Sequence, residues 1–274
     1  MNHHTRPPAA TSDAAQGSTL TRGHRHALCP LIMVGDPTLA ATRALLTRCT
    51  ELGVPMVELC LPFRNAFTDG EALQSAHKRA LANAVEFAAV MDLIAEFSNR
   101  ISIILLADSS HTLRPLGIDY VLSAAAKAGV AAVLPHGLPP RLVAQFHDAA
   151  GFAKLPAVGT IYANSGVETR QGVLERARAF IYLVTTYGRS GGSADPNQLR
   201  CQIDALRSHT ALPIALGFGL RTADDVAQAF SAGSDIAIVG SAVFAQIEAA
   251  LTAGEDPVTR AGDFIATLQE RAQH

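Results

Sequence analysis

The stretch SAGSDIAIV, residues 231–239, shows how this chain is organised. A helix-like segment ends, a glycine interrupts it, and a short apolar run follows at once. The same order occurs in ELGVP at residues 51–55 and in KAGVAAV at residues 127–133. This repeated order predicts helices that alternate with buried strands along the chain.

Short apolar runs recur from residue 28 onward, and they are continuously apolar rather than alternating. This pattern is typical of parallel strands that are buried on both faces. The predicted strands are 28–34, 56–61, 101–106, 131–134, 155–158, 180–184, 213–216 and 236–239. Between them lie helix-like stretches such as 37–52, 196–208 and 223–232. Eight alternations predict an α/β fold, a closed (β/α)₈ or TIM barrel, with a doubly wound open sheet as the alternative.

Length and composition agree with one large domain. The chain has 274 residues, of which 49% are hydrophobic, so it can bury a sizeable core. Residues 1–24 are polar and predict a disordered arm, which leaves residues 25–274 for a single barrel domain. The pair His3-His4 on this arm is interpreted as incidental, and no metal is predicted.

Charge and cysteine usage exclude several classes of partner. The net charge of -2 is spread along the chain and indicates neither a nucleic-acid partner nor an anionic membrane surface. No apolar run reaches the roughly 18 residues of a membrane span, and the N-terminus lacks the apolar core of a secretory signal. The four cysteines show no CxxC spacing. We therefore expect a cytoplasmic protein with reduced thiols.

Two glycine-containing segments follow the seventh and eighth predicted strands. They are GFG at residues 217–219 and the pair Gly240-Ser241. Glycines at a strand end let backbone N–H groups approach an anion, and barrels often hold phosphate between these two loops. The segments predict a phosphorylated small-molecule ligand; the alternative is that the glycines only make tight turns. A third glycine-rich stretch, residues 188–192, is predicted to form a mobile lid.

Two carboxylates stand out near the second predicted strand. Glu58 interrupts an apolar run, where a carboxylate is costly unless it is paired or functional. Burial would raise its pKa, which suits a group that transfers protons near neutral pH. The alternative is a structural glutamate held by a backbone partner. Asp69 lies in the loop that follows, and its Asp-Gly pair by itself is an ordinary turn signal.

At this point the sequence resembles the tryptophan synthase α subunit family. The resemblance is carried by PLIMVGDPT (30–38), VELCLPFRNAFTDGEALQSAHKRAL (57–81), GFG (217–219) and IVGSA (238–242). That family cleaves indole-3-glycerol phosphate to indole and glyceraldehyde 3-phosphate on a (β/α)₈ barrel, without a cofactor. The resemblance implies tryptophan biosynthesis as the setting.

The resemblance also implies roles for individual residues. Glu58 would be the general acid and base, and Asp69 would stabilise positive charge at the indole nitrogen. Tyr182 matches an active-site tyrosine of the family, and Phe218 matches a phenylalanine that lines the site. The positions that match phosphate-binding backbone groups are Gly191, Gly219, Gly240 and Ser241.

Departures from the family pattern point to a divergent member. The family loop phrase Ser-Asp-Pro is replaced by Arg64-Asn65-Ala66, in a loop that meets the PLP-dependent β subunit in the family. We therefore predict that the chain works without a β subunit, or with only a weak response to one. The lid residues Gly188, Arg189 and Ser190 also differ from the family phrase.

The predicted pocket has lost aromatic and aliphatic bulk. By ungapped alignment its residues are Leu31, Ala107, Ser109, His136 and Thr160. His136 has the alternative interpretation of a solvated loop residue. Three functions remain open: a lyase for indole-3-glycerol phosphate or a close analogue, a paralogue that cleaves a more polar phosphorylated substrate, and a non-catalytic barrel that binds a phosphorylated ligand.

Overall fold

Strands and helices alternate along the computed structural model, which describes residues 20–66, 70–184, 196–217 and 219–273. The strands are β1 (Ala27–Met33), β2 (Met56–Cys60), β3 (Ser102–Asp108), β4 (Ala132–His136), β5 (Gly159–Tyr162), β6 (Ile181–Val184), β7 (Ile214–Leu216) and β8 (Ile236–Val239). The main helices are α1 (Leu39–Glu51), α2 (Glu71–Ala82), α3 (Phe87–Phe97), α4 (Ile118–Lys127), α5 (Val143–Phe152), α6 (Val167–Arg176), α7 (Pro196–Arg207), α8 (Ala223–Ser231), α9 (Ser241–Ala253) and α10 (Pro257–Ala272). The predicted alternation is confirmed.

The strands form one parallel sheet whose order is β4-β3-β2-β1-β8-β7-β6-β5. Strand β1 pairs with β2 on one side and with β8 on the other, so the first and last strands are neighbours. The two ends of the sheet, β4 and β5, meet through a parallel bridge between Val133 and Ala157. The sheet is therefore a nearly closed (β/α)₈ barrel, as predicted, and not a doubly wound open sheet.

Alternation along each strand separates an inner layer from an outer layer. Met56, Ile104 and Leu134 belong to an apolar cluster inside the barrel, which we call the inner cluster. Neighbouring residues such as Val57 and Leu105 pack instead against the surrounding helices. Because side chains alternate between the two faces of a strand, residues two positions beyond an inner-cluster member also point inward.

Glycines end the helices where the sequence predicted. Gly53, Gly129 and Gly233 follow α1, α4 and α8, with φ angles of 67°, 84° and 104°. This left-handed conformation suits glycine and reverses the chain into the next strand. The three quoted sequence phrases thus share one local geometry.

Three predicted strands have a boundary that differs from the structure by more than one residue. The predicted fifth strand, 155–158, makes only the bridge at Ala157, and β5 begins at Gly159 instead. Pro156 lacks the N–H that a longer ladder needs at that point. By contrast, β3 and β4 are longer than predicted, and they continue past their apolar runs to Asp108 and His136.

A buried ion pair fixes the carboxyl-terminal end of β1 to the helix layer. Arg79 on α2 binds both carboxylate oxygens of Asp36, with N–O distances of 2.6 and 2.9 Å, and also binds Glu248 on α9. Burial raises the pKa of Asp36, and the Arg79 guanidinium opposes that rise. The bidentate pair therefore holds the loop after β1 against two helices.

Packing at the amino-terminal side begins before β1. Leu20 is buried and belongs to the inner cluster, and Thr21 beside it is also buried. Contact with the barrel thus starts before residue 25, the predicted domain boundary, because an apolar side chain is available there. The remainder of the predicted arm, residues 1–19, lies outside the described residues.

Candidate active site

Glu58 lies inside the barrel near the middle of β2. It is two residues beyond Met56 of the inner cluster, and its side chain is only 1% exposed. Within the described residues its Oε2 atom has no hydrogen-bond partner. Loss of hydration raises the pKa of Glu58 from 4.5 to about 8. At neutral pH the group is therefore mainly a protonated acid that is poised to give up a proton.

Tyr182 faces the same interior from β6, on the far side of the barrel from β2. Burial raises the pKa of its hydroxyl well above the ordinary value, and the negative charge of Glu58 adds to the rise. The phenol thus stays neutral and can both donate and accept a hydrogen bond. A Cβ added at Gly217 would lie 2.2 Å from the Tyr182 Oη atom, so the residue after β7 must be glycine for the ring to sit there.

The beginning of α9 offers backbone N–H groups without a side-chain cap. Gly240 precedes the helix and Ser241 begins it, and among the described residues no side chain caps this end by accepting a hydrogen bond. The beginning of α8 is different, because Thr222 and Asp225 cap it reciprocally at 2.8 and 3.1 Å. The backbone N–H groups at the start of α9 are therefore more available to an anion than those at the start of α8.

Gly219 lies between β7 and α8 and has a φ angle of 84°. A residue with a side chain adopts that conformation only with strain. The position is consistent with close backbone approach to a ligand at the same end of the barrel as Gly240. The structure thus brings two of the predicted phosphate-binding positions to adjacent strand ends.

A polar cluster at the ends of β3 and β4 was not predicted as a unit. Asp108 Oδ1 lies 2.7 Å from His111 Nδ1, and Asp108 Oδ2 lies 3.2 Å from His136 Nδ1. Asp108 also accepts hydrogen bonds from the backbone N–H groups of Ser110 and His111. Burial alone would raise the pKa of Asp108, but these hydrogen bonds outweigh it and hold the pKa below its usual value. The carboxylate is therefore ionised and accepts from both imidazoles.

An aromatic ring covers this polar cluster. Phe63, in the loop after β2, stacks on His136 with 5.0 Å between ring centroids. Its backbone N–H donates to Nδ1 of His77 on α2 at 3.1 Å, which anchors the loop. The loop after β2 thus reaches across the ends of β3 and β4 and restricts the His136 ring.

One predicted pocket residue, Ala107, requires correction. Ala107 belongs to the outer apolar cluster, so the inward positions at the end of β3 are Leu106 and Asp108 instead. Ser109 is fully buried, and its Oγ atom has no hydrogen-bond partner within the described residues. A π-helical turn, Ser109–Leu113, follows the strand, and such a turn holds one more residue than an α-helical turn.

The other described pocket residues lie on inward-facing positions. Leu31 on β1 packs beside the end of β8, where a Cβ on Gly240 would come within 2.8 Å of its Cδ2 atom. Thr160 on β5 is in register with Tyr182 on β6. His136 stands two residues beyond Leu134 of the inner cluster. The remaining predicted residues lie outside the described residues: Asp69, Gly188, Arg189, Ser190, Gly191 and Phe218.

Comparison with known proteins gives the family. The family model described as tryptophan synthase alpha chain matches residues 18–273. The chain belongs to this family. A tryptophan synthase alpha chain from Synechococcus sp. is 30% identical over 265 residues, which cover 96% of this chain and 98% of that protein. The alpha chain from Geobacter sulfurreducens is 31% identical over 255 residues, which cover 92% and 95%.

Solved structures agree on the fold. A tryptophan synthase alpha subunit from Legionella pneumophila superposes with a TM-score of 0.84 at 22% identity, over 94% of this chain and 97% of that one. The barrel described above is thus the fold of the tryptophan synthase alpha family. Within that fold, Glu58 and Tyr182 face each other across the interior, while Asp108 and His136 form a polar wall at the mouth.

Two further features of this tryptophan synthase alpha family member concern metals and membranes. Among the residues that the structure describes, no three His, Cys, Asp or Glu side chains are grouped so that they could hold a metal ion. Across the same ranges, no helix combines the length and apolar character needed to cross a bilayer.

Proposed function

We propose that this protein is a carbon–carbon lyase that performs retro-aldol cleavage of indole-3-glycerol phosphate or a close analogue. The products would be the indole and glyceraldehyde 3-phosphate. The observation that carries the proposal is the position and protonation of Glu58, a buried acid whose Oε2 atom has no partner among the described residues and whose pKa is about 8. Membership of the tryptophan synthase alpha family supports the same substrate class.

The proposed reaction needs two proton transfers and no other reagent. Glu58 donates its proton to C3 of the indole, which turns the ring into an electron acceptor. The resulting carboxylate removes the proton from the glycerol hydroxyl next to the ring. The bond between C3 and that carbon then breaks, its electron pair returns to the ring, and an aldehyde forms. Glu58 ends the cycle protonated, as it began.

Groups around the barrel mouth would orient the substrate for these transfers. The uncapped start of α9, at Ser241, together with Gly219, would hold the phosphate through backbone N–H groups. The neutral Tyr182 hydroxyl would hydrogen-bond the glycerol chain near Glu58. Asp69, which the family resemblance pairs with the indole nitrogen, would offset the positive charge of the protonated ring.

The test compares Glu58→Gln with the parent protein on indole-3-glycerol phosphate, with indole release as the readout. Glutamine keeps the size of the side chain but cannot donate a carboxylic proton, so kcat should fall by about 10²–10⁴-fold. Glu270→Gln, at an exposed position on α10, is the matched control and should leave kcat unchanged. Equal kcat for Glu58→Gln and the parent protein would refute the proposed role.

Two other outcomes of this assay identify the alternatives. Tight binding of the substrate without any turnover by the parent protein would indicate a non-catalytic barrel. Turnover of a more polar analogue in preference to indole-3-glycerol phosphate would indicate the divergent paralogue. The polar wall of Asp108 and His136 is the observation that favours this second candidate.

We also propose that catalysis does not depend on a tryptophan synthase β subunit. Arg64 in the loop after β2 is exposed, and a charge at that position opposes docking of an apolar partner surface. Size-exclusion chromatography with an added β subunit, and turnover with and without it, test this proposal. A stable complex with strong rate activation would contradict it.

A further inference from the structure

The polar wall at the ends of β3 and β4 holds the rings of two histidines, His111 and His136, through the Asp108 carboxylate. Asp108 is ionised, and a carboxylate can only accept hydrogen bonds. The Nδ1 atoms of His111 and His136, at 2.7 and 3.2 Å, must therefore carry the hydrogens. In the neutral imidazole of His136, the lone pair then lies on Nε2, on the opposite edge of the ring.

The orientation of the His136 ring is restricted from two sides. Asp108 fixes the Nδ1 edge, and the ring of Phe63 stacks on its face with an interplanar angle of 25°. The side chain is nevertheless 42% exposed, so it borders open space rather than the packed interior. A polar group that is oriented by neighbours and open on one edge is suited to bind a ligand.

Barrel topology places this nitrogen at the far end of a substrate whose phosphate is held by α9. In the observed strand order, β3 lies four strands from β7, and β4 lies four strands from β8. In an eight-stranded barrel these pairs are diametrically opposed. A molecule that starts at the phosphate-binding strand ends and passes Glu58 on β2 therefore directs its remaining end toward His136.

The layer below the polar wall is apolar. Leu106 and Leu134 point inward two residues before Asp108 and His136 and pack with the inner cluster. An aromatic ring can rest on these leucines while its outer edge meets His136. An unsubstituted hydrocarbon edge would strip water from Nε2 and offer no hydrogen bond in return, which disfavours binding.

We propose that His136, oriented by Asp108, binds a hydroxyl or amino substituent on the aromatic ring of the substrate. The substrate class is thus an aryl glycerol phosphate with a hydrogen-bond donor on the ring edge remote from the phosphate. This inference rests on the proposed function, because it assumes that the glycerol phosphate end lies at β7 and β8. His136 is a specificity-determining residue in this account, and Asp108 is a positioning residue.

The test measures binding with indoles whose C3 carries an uncleavable phosphopropyl chain. The set has hydrogen, methyl, hydroxyl or amino at each position of the six-membered ring, and dissociation constants are measured by calorimetry. At one ring position the parent protein should bind the hydroxyl or amino compound at least about tenfold more tightly than the methyl compound of similar size.

Three variants identify the group responsible. His136→Leu should remove the preference, whereas His136→Gln, which keeps a polar atom near the Nε2 position, should retain part of it. His209→Leu, at an exposed position after α7, is the control and should bind like the parent protein. Circular dichroism confirms that each variant is folded.

The outcomes separate this inference from the proposed reaction. If no ring position favours hydroxyl or amino over methyl, or if His136→Leu keeps the preference, the inference is overturned, whatever the turnover assay shows. If the preference is found but the corresponding glycerol phosphates are not cleaved, ring recognition stands and the proposed lyase reaction fails.

Discussion

Replacing Glu58 with glutamine should change how the stability of the barrel depends on pH. In the folded protein the pKa of Glu58 is about 8 rather than 4.5, because the side chain is buried without a described partner for Oε2. The folded state therefore holds a proton that the unfolded chain releases between these two values. The contribution of Glu58 to the free energy of unfolding is fully present below about pH 4.5 and is lost as pH rises toward 8.

The magnitude follows from the size of the pKa rise. A rise from 4.5 to about 8, at about 1.36 kcal/mol per pH unit, corresponds to roughly 5 kcal/mol as an upper limit. Glutamine has nearly the same shape and no titration. Near pH 5 the two proteins should have nearly equal stability, and near pH 9 Glu58→Gln should be the more stable by up to that amount.

Urea unfolding of both proteins across this pH range measures the difference directly. All other titrating groups are shared by the two proteins, so their contributions cancel in the comparison. Glu270→Gln serves as the control, and its stability should follow that of the parent protein at every pH. Parallel pH dependences for Glu58→Gln and the parent protein would show that Glu58 is not a buried acid of raised pKa.

Three further substitutions test the packing and the charge of the site. Gly217→Ala should cost about 1–3 kcal/mol in urea unfolding, because its Cβ overlaps the Tyr182 ring, and a cost that persists after Tyr182→Ala would contradict that explanation. Ser241→Asp should raise KM for phosphorylated substrate well above that of Ser241→Asn, because it places a negative charge at the start of α9 while leaving the helix stable. Equal KM values for the two variants would show that the phosphate binds elsewhere. Arg79→Leu should destabilise the fold by roughly 3–5 kcal/mol because it leaves the buried Asp36 carboxylate without its bidentate partner, and a change below about 1 kcal/mol in thermal unfolding would refute this.

Local signals were sufficient to predict the barrel. A helix, a glycine such as Gly233 and an apolar strand follow one another within a few residues, and their order determines the alternation. Burial of Glu58 was predictable for the same reason, since a carboxylate inside an apolar run has few alternatives. The fifth strand was misplaced because its apolar run contains Pro156, which limits pairing to one bridge.

Sequence patterns did not predict the polar wall of Asp108 and His136. Asp108 and His136 are separated by 28 positions and meet only because β3 and β4 pair in register. Each follows an apolar run, so a boundary drawn where the run ends leaves both outside the strands. A useful signal is a pair of polar residues that lie two positions beyond the ends of two adjacent predicted strands.

The most direct test of the account follows the proton that Glu58 is proposed to deliver. Indole-3-glycerol phosphate, or the ring-substituted analogue that binds best, is incubated with the protein in D₂O, and the products are analysed by NMR. We expect one deuterium at C3 of the released indole and one equivalent of glyceraldehyde 3-phosphate per turnover, with both signals lost in Glu58→Gln. Release of the indole without deuterium at C3, or equal incorporation by Glu58→Gln, would contradict the assignment of Glu58 as the proton donor.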